Sequence, residues 1–302
     1  MELSGSESDG RFTVAFLGPL GTYTHEAAYK RFADHAQYLE RKTIADVFSS
    51  LSPSVPLGVV PQENSTFGSV IETCNALRGS HPGFVRGEVL LKIDHCLLVR
   101  KGVKLDEIRK VMSHEQALGQ CQEFLATHLP LATLEKSTST AAAARALLDN
   151  PPECAAICSQ ICATLFQGLE VLHQGIQGET MNFTRFYVVA HSRETVMPFR
   201  HPLDRKALVR ISAPKWPSKP SSTPRSIVQL LDSLRLDVTF IDRRPSVSLK
   251  PFHDVYFVGV CNFVDEPGRS SEDLWGSWTS EVDEAAERVR RTGGEIDVLG
   301  VW

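Results

Sequence analysis

Thr184 and Arg185 stand side by side in NFTRFYVVA, residues 182–190, where polar residues run straight into a β-branched and aromatic segment. A hydroxyl and a guanidinium at the mouth of a buried strand admit two readings. Together they can hold and protonate an anionic substrate, since a guanidinium grips a carboxylate through paired N–H bonds. Alternatively they end a strand in water, because arginine is rarely buried without a partner. Similar polar groups close other apolar runs. Glu63, Asn64 and Ser65 follow GVVPQ, and Thr22 and Tyr23 follow a Gly-Pro-Leu-Gly turn. His114 lies between Ser113 and Gln116, and Ser139 and Thr140 open an alanine-rich segment. Taken alone, the Glu–Asn pair is an ordinary turn and the hydroxyls are ordinary helix caps.

The elements that would carry these groups alternate. FTVAFLG (12–18) reads as a strand and GTYTHEAAYKRFA as a helix with threonines at its start; PLGVVPQENS (56–65) and SVIETCNALR repeat the pattern. Ser69 with Glu72, and Ser113 with Gln116, fit capping boxes. LLKIDHCLLVR (90–100) reads as one long strand, STSTAAAARALLDN as a helix, and CAAICSQICATLFQ as a further helix with Cys154, Cys158 and Cys162 along one face. Alternating strands and helices imply an α/β layer architecture with a largely parallel sheet. In that arrangement the helix starts near Thr22, Ser69, Ser113 and Ser139 share one edge, where free N–H groups collect anions. Beyond a polar linker near 196–204 the order becomes βαββαβ, the ferredoxin-like arrangement.

Composition narrows the function classes. The 302 residues are 42% hydrophobic and 23% charged, ordinary for a soluble globular protein, and suffice for two domains. A net charge of −4 without a Lys/Arg stripe speaks against nucleic acid, so an anionic substrate has to be held by local groups. No apolar run approaches a membrane span, and the polar, acidic MELSGSESDG reads as a disordered lead-in without signal-peptide features. Seven cysteines with no CxxC pair, and no ligands at metal spacing, read as buried thiols of a reduced, cytosolic protein.

VAFLGPLGTYTHEAA, GVVPQENSTFGSVIET, MSHEQALGQCQEFL, STAAAAR and NFTRFYVV, in that order, closely resemble the successive signatures of the prephenate dehydratase family, and the last VLGVW is similar to its closing strand. The resemblance covers residues 12–302. With no helical chorismate mutase segment before Phe12, it is the monofunctional form that the sequence resembles. The resemblance implies a two-lobed catalytic region like type II periplasmic binding proteins at 12–195 after a disordered 1–11. Lobe 1 would be 12–90 with 180–192, lobe 2 would be 93–178, and a ligand-binding ACT domain would follow at 205–302.

It further implies decarboxylation and dehydration of prephenate to phenylpyruvate, without cofactor or metal. Thr184 matches the family threonine assigned to the leaving hydroxyl, and Arg185 would supply a fork for a carboxylate or a structural salt bridge. Asn64 and Ser65 would be ligands oriented by Glu63, and His114 either a donor or a capped surface histidine. Ser139 and Thr140 would offer hydroxyls or caps, Thr22 and Tyr23 would border the cleft, and Phe186 would pack under the strand. Phenylalanine is the implied effector, read through Arg225, Ser226 and Ile227 where the family has Gly-Ala-Leu, and through Asp242, Arg243, Arg244 and Pro245 in place of Glu-Ser-Arg-Pro. A homodimer or homotetramer is implied, with no nucleic-acid or membrane partner. The rival readings are arogenate dehydratase, a non-catalytic phenylalanine-sensing protein, and a periplasmic-type solute receptor.

Overall fold

The structure, a computed structural model, describes residues 11–79, 83–178, 181–198, 205–212, 226–247, 253–262 and 271–302. Arg225, the first ten residues and positions 199–204 of the expected linker lie outside these. The chain divides into two compact units, Met1–Thr73 with Glu88–Tyr187, and Cys74–Gly87 with Val188–Trp302.

The first unit begins with β1 (Phe12–Leu17), α1 (Tyr23–Phe32), β2 (Ala36–Arg41), α2 (Ile44–Ser50), β3 (Leu57–Asn64) and the two-residue β4 (Gly68–Ser69). β1 pairs in parallel with both β2 and β3. α1 starts where the turn and cap residues dictate. Gly21 takes φ +91° and Thr22 accepts from the backbone N–H of His25, which satisfies one of the helix's free donors. α2 opens on a reciprocal capping box between Thr43 and Asp46. α3 (Ile71–Leu77) and β5 (Phe84–Lys92) then carry the chain between the units.

A second sheet follows. Its strands are β6 (Cys96–Arg100), β7 (Lys110–Ser113), β8 (Thr133–Lys136), β9 (Cys154–Cys158) and β10 (Leu169–Gln174), in the order β10-β6-β9-β7-β8. Between them run α4 (Glu115–Gln120), α5 (Gln122–His128), α6 (Thr140–Ala146) and α7 (Ile161–Leu165), and β11 (Phe183–Ala190) returns to the first sheet beside β3. β9 is covered on both faces. Cys154, Ala156 and Cys158 pack with Ala143, Ala144 and Leu147, while Ala155 and Ile157 pack with Val111, Leu118 and Leu125. The sheet is mixed, with β7 parallel to β8 and β9, and β6 antiparallel to β9 and β10.

Several sequence expectations change here. Residues 154–166 form a strand and a short helix, not one helix. Residues 90–100 form two strands, broken where the Ile93 N–H turns to the carbonyl of Asn182 and the His95 N–H to the side chain of Gln177. Ser69 lies in β4 opposite Glu63, so it does not cap α3. The cap of α4 is His114, whose Nδ1 accepts from the Gln116 N–H, because the Ser113 hydroxyl is drawn into the core to the Ile157 carbonyl.

In the second unit β12 (Lys206–Ser212), α8 (Ile227–Leu234), β13 (Asp237–Pro245), β14 (Asp254–Cys261), α9 (Ser271–Arg291) and β15 (Glu295–Val301) follow in order. The sheet order is β13-β14-β12-β15, antiparallel throughout, which is the ferredoxin-like fold. Val209 and Ile211 on one sheet face pack against Leu230 and Leu234 of α8 and Trp278, Val282 and Val289 of α9. The Arg288 guanidinium ties the two helices by donating to the carbonyls of Ser233 and Leu234 at the end of α8. Among the described residues no helix is long and apolar enough to cross a membrane, and no group of His, Cys, Asp and Glu is placed to hold a metal.

Candidate active site

A cavity of about 490 Å³ opens within the first unit, a size suited to a small-molecule ligand. Its wall combines apolar side chains from Leu17, Pro61, Phe67, Ile93 and Phe186 with a ring of neutral polar ones. The described residues that line it include no Lys, Arg, Asp or Glu.

Asn64 sets the orientation of the polar groups at the end of β3. Its Oδ1 accepts from the backbone N–H groups of Thr66 and Phe67, at 2.9 and 3.1 Å, which fixes oxygen at that position because both partners can only donate. Nδ2 therefore faces Asn182 Oδ1 at 2.7 Å, the Phe183 carbonyl at 3.2 Å and Thr184 Oγ1 at 2.9 Å. Thr184 accepts that bond, so its own proton is free to be donated. Thr184 lies on the cavity wall, and Asn182, with its oxygen occupied by Asn64, presents its amide nitrogen as the remaining donor. A hydroxyl braced by an amide N–H and lining this cavity can donate to an oxygen leaving from a bound molecule.

Other walls are equally specified. His114 Nδ1 accepts from the Gln116 N–H, which leaves the proton of a neutral ring on Nε2. Ser139 caps α6 by accepting from Ala142 at 3.0 Å and so keeps its hydroxyl proton free, with Thr140 beside it. Thr22 donates to the Leu17 carbonyl while capping α1. Tyr23 places its hydroxyl 2.7 Å from His95 Nδ1, and burial pushes its phenol well above the usual range. His95 is buried, which lowers its basicity, and its Nε2 lies 2.6 Å from Gln120 Oε1.

The remaining expected site residues face elsewhere. Arg185 sits between Thr184 and Phe186 on β11, and neighbours on a strand point to opposite faces. Its guanidinium meets Glu63 at 3.1 Å and Glu88 at 3.6 Å instead of the cavity. Ser65 accepts from the Phe183 N–H and donates to the Met181 carbonyl, stitching the end of β3 to the start of β11. His95, Gln120 and Asn182 are lining residues that the sequence reading passed over. Asn182 opens the same nine-residue stretch as Thr184, and its even spacing from Thr184 was the available signal.

A family model described as prephenate dehydratase matches residues 14–194. The chain belongs to the prephenate dehydratase family. Among its relatives is the bifunctional chorismate mutase/prephenate dehydratase of Pseudomonas aeruginosa, 34% identical over 290 residues, which are 96% of this chain and 72% of that protein. The arogenate dehydratase/prephenate dehydratase 2 of Arabidopsis thaliana chloroplasts is 32% identical over 69% of this chain and 54% of its own length. Among solved structures, a prephenate dehydratase from Arthrobacter aurescens in complex with L-Phe superposes with a TM-score of 0.71 at 27% identity, covering 96% of this chain and 89% of that one.

In this prephenate dehydratase family member, the residues expected to read an effector are engaged within the second unit. Ser226 caps α8 in a reciprocal box with Gln229, and Ile227 is the first residue of that helix. Asp242 pairs with Arg244 at 2.9 Å and accepts from the Cys74 thiol; Arg243 approaches Asp254 at 3.5 Å. The Pro245 carbonyl accepts from Arg78. Burial pushes the Cys74 thiol up to about 11, and the Asp242 carboxylate beside it acts in the same direction.

Proposed function

We propose that this protein converts prephenate to phenylpyruvate in phenylalanine biosynthesis, with the cavity of the first unit as its site. The observation that carries the reading is the Asn64–Thr184 bond, which frees a hydroxyl proton within that cavity. The bond to the ring carboxylate breaks, and its electron pair enters the ring as carbon dioxide departs. The C–O bond at the opposite ring carbon then breaks, and the leaving oxygen takes a proton to depart as water. Thr184 is the donor to that oxygen, and the Asn64 N–H stabilises negative charge that develops on Oγ1; such acid assistance is worth about 10²–10⁴-fold. The apolar walls favour loss of a charged carboxylate as neutral carbon dioxide.

The retained carboxylate and keto group would be met by neutral donors, His114 Nε2, the Ser139 hydroxyl and the side-chain amides. The absence of an acidic side chain among the described lining residues favours the keto acid over its amino analogue, arogenate, whose ammonium would lack a counter-charge. Arg185 and Glu63 would act as a clamp that holds β3 and β11 in register. Phenylpyruvate formation from prephenate by the purified protein tests the reading, with arogenate in parallel. Folded protein that forms no phenylpyruvate overturns it, and preferential use of arogenate overturns the substrate assignment.

The ferredoxin-like unit would serve as an ACT domain that binds phenylalanine in a dimer or tetramer. Its support is the likeness over nearly the whole chain to a structure solved with L-Phe.

A further inference from the structure

A dianion in a cavity without lysine or arginine among its described lining residues has to be held by N–H and O–H donors. Asn64 is already committed, since its amide nitrogen faces three protein acceptors. Gln120 is different. The contact at its amide group is the approach of Oε1 to His95 Nε2 at 2.6 Å, and the side chain reaches the cavity wall from the last residue of α4.

Which way that amide points depends on the histidine. His95 is 3% exposed, and burial keeps its ring neutral, so it carries a single N–H. A proton on Nδ1 would be donated to the Tyr23 oxygen, sending the phenol proton to the Asp94 carbonyl at 3.2 Å. Nε2 would then be an acceptor, Gln120 would turn its N–H to the ring, and its carbonyl oxygen would face the anion. A proton on Nε2 reverses the chain. Gln120 Oε1 faces Nε2 at 2.6 Å and can only accept, which fits this second arrangement: His95 donates to it, Tyr23 donates to Nδ1, and the Gln120 N–H groups are left for the cavity. The backbone beneath is pinned in either case, because the Gln177 side chain accepts from the His95 N–H at 2.8 Å and donates to the Ile93 carbonyl.

We propose that His95 is a positioning residue, held as the Nε2–H tautomer by Tyr23, and that it locks Gln120 with its amide N–H groups toward a substrate carboxylate. The proposal rests on the reading of this cavity as the prephenate site. Tyr23 and His95 line the same cavity, and the role assigned to them is to set the polarity of Gln120.

Two measurements test it on the full chain. Nitrogen-15 NMR of histidine-labelled wild-type protein without ligand should show His95 protonated at Nε2 and bare at Nδ1 at neutral pH; the reverse assignment overturns the proposal. Steady-state kinetics with prephenate should show Gln120→Glu and Gln120→Ala raising KM by about tenfold or more, as expected for loss of a hydrogen bond to a charged group, with kcat changed less. His95→Phe lets Tyr23 turn its proton to the Asp94 carbonyl and should raise KM similarly, and His95→Phe/Gln120→Ala should be no worse than Gln120→Ala alone. Additive losses, or an unchanged KM in Gln120→Glu, overturn the coupling even where His95→Phe does not fold. Wild-type protein that fails to turn over prephenate sinks the dehydratase reading instead, and the tautomer measurement then decides the His95 arrangement by itself.

Discussion

Replacing Asn64 by aspartate changes one group, an amide nitrogen into an oxygen, and should disable the site by reversing a single hydrogen bond. In the native chain Asn64 Nδ2 donates to Thr184 Oγ1 at 2.9 Å, and the threonine proton is free. In Asn64→Asp the loop beyond β3 keeps its anchor, because Thr66 and Phe67 still donate to the other carboxylate oxygen. The introduced oxygen, however, faces three acceptors on Asn182, Phe183 and Thr184. The Thr184 hydroxyl can relieve one of these contacts only by donating to the new carboxylate, which takes its proton away from the leaving oxygen. Asn182 can flip its side chain to donate its amide nitrogen to the introduced oxygen, which leaves the Phe183 carbonyl as the unrelieved contact at a cost of about 1–3 kcal/mol, so the variant should melt earlier while remaining folded.

Loss of the proton donor should lower kcat by about 10²-fold or more, equivalent to about 2.7 kcal/mol on the barrier at 1.36 kcal/mol per decade. KM should rise as well, because the introduced carboxylate lies on the cavity wall and repels a dianionic substrate, so kcat at saturating prephenate is the diagnostic. Lowering the pH protonates the introduced carboxylate, which its acceptor neighbours make easier to protonate than an exposed one, and activity should return in part. Thr184→Val should show the same loss with no such recovery, and Asn64→Asp/Thr184→Val should be no slower than Thr184→Val. Initial rates of phenylpyruvate formation between pH 5 and 8, with urea melts to confirm folding, measure all of this. A kcat in Asn64→Asp within about threefold of wild type, against the 10²-fold expected of a lost general acid, would refute the orientation argument.

Arg185→Lys and Glu63→Gln should lower kcat by similar, modest factors and leave KM unchanged, because they share one ion pair outside the cavity. A large KM rise confined to Arg185→Lys would place the guanidinium on the substrate. His25 is buried against Phe16 and Tyr38 with its Nδ1 accepting from Gly21, and burial lowers its pKa from 6.5 to about 4. The unfolded chain takes up this proton first, so stability is complete above about pH 6.5 and drains away as the pH falls towards 4; by pH 5 the loss is about 2 kcal/mol. Urea melts of His25→Gln should show a flatter dependence between pH 7 and 5, and an unchanged slope would count against it. Calorimetric titration with phenylalanine should show binding that a substrate analogue alters reciprocally, and no heat at millimolar phenylalanine would remove the effector role.

The cap at Thr22, the cap at Ser139 and the βαββαβ order of the second unit were legible because each rests on local chemistry. The misread elements all turn on tertiary contacts. A spacing of four puts Cys154 and Cys158 on one face of a helix, but it does the same on a strand. Burial of both faces of β9 erased the alternation that distinguishes the two. Ser113 has the better capping chemistry, yet the Ile157 carbonyl claims its hydroxyl and leaves the cap of α4 to His114. His95 was taken for part of a continuous strand, since nothing local marks the break that Asn182 and Gln177 impose.

Strand alternation, by contrast, was available and decides the meaning of the central motif. Thr184 and Arg185 are neighbours on β11, as Asn64 and Glu63 are on β3, and these strands lie side by side. Adjacent residues must point to opposite faces, so only one member of each pair can reach the cavity. The pairs meet across the strands, Asn64 with Thr184 on the cavity side and Glu63 with Arg185 on the other. The ion pair therefore fixes the relative placement of the same two strands whose register sets the Asn64–Thr184 distance. A change at Arg185 reaches Thr184 through one residue of β-strand, and this is why a side chain that does not line the cavity belongs to the same short motif as one that does.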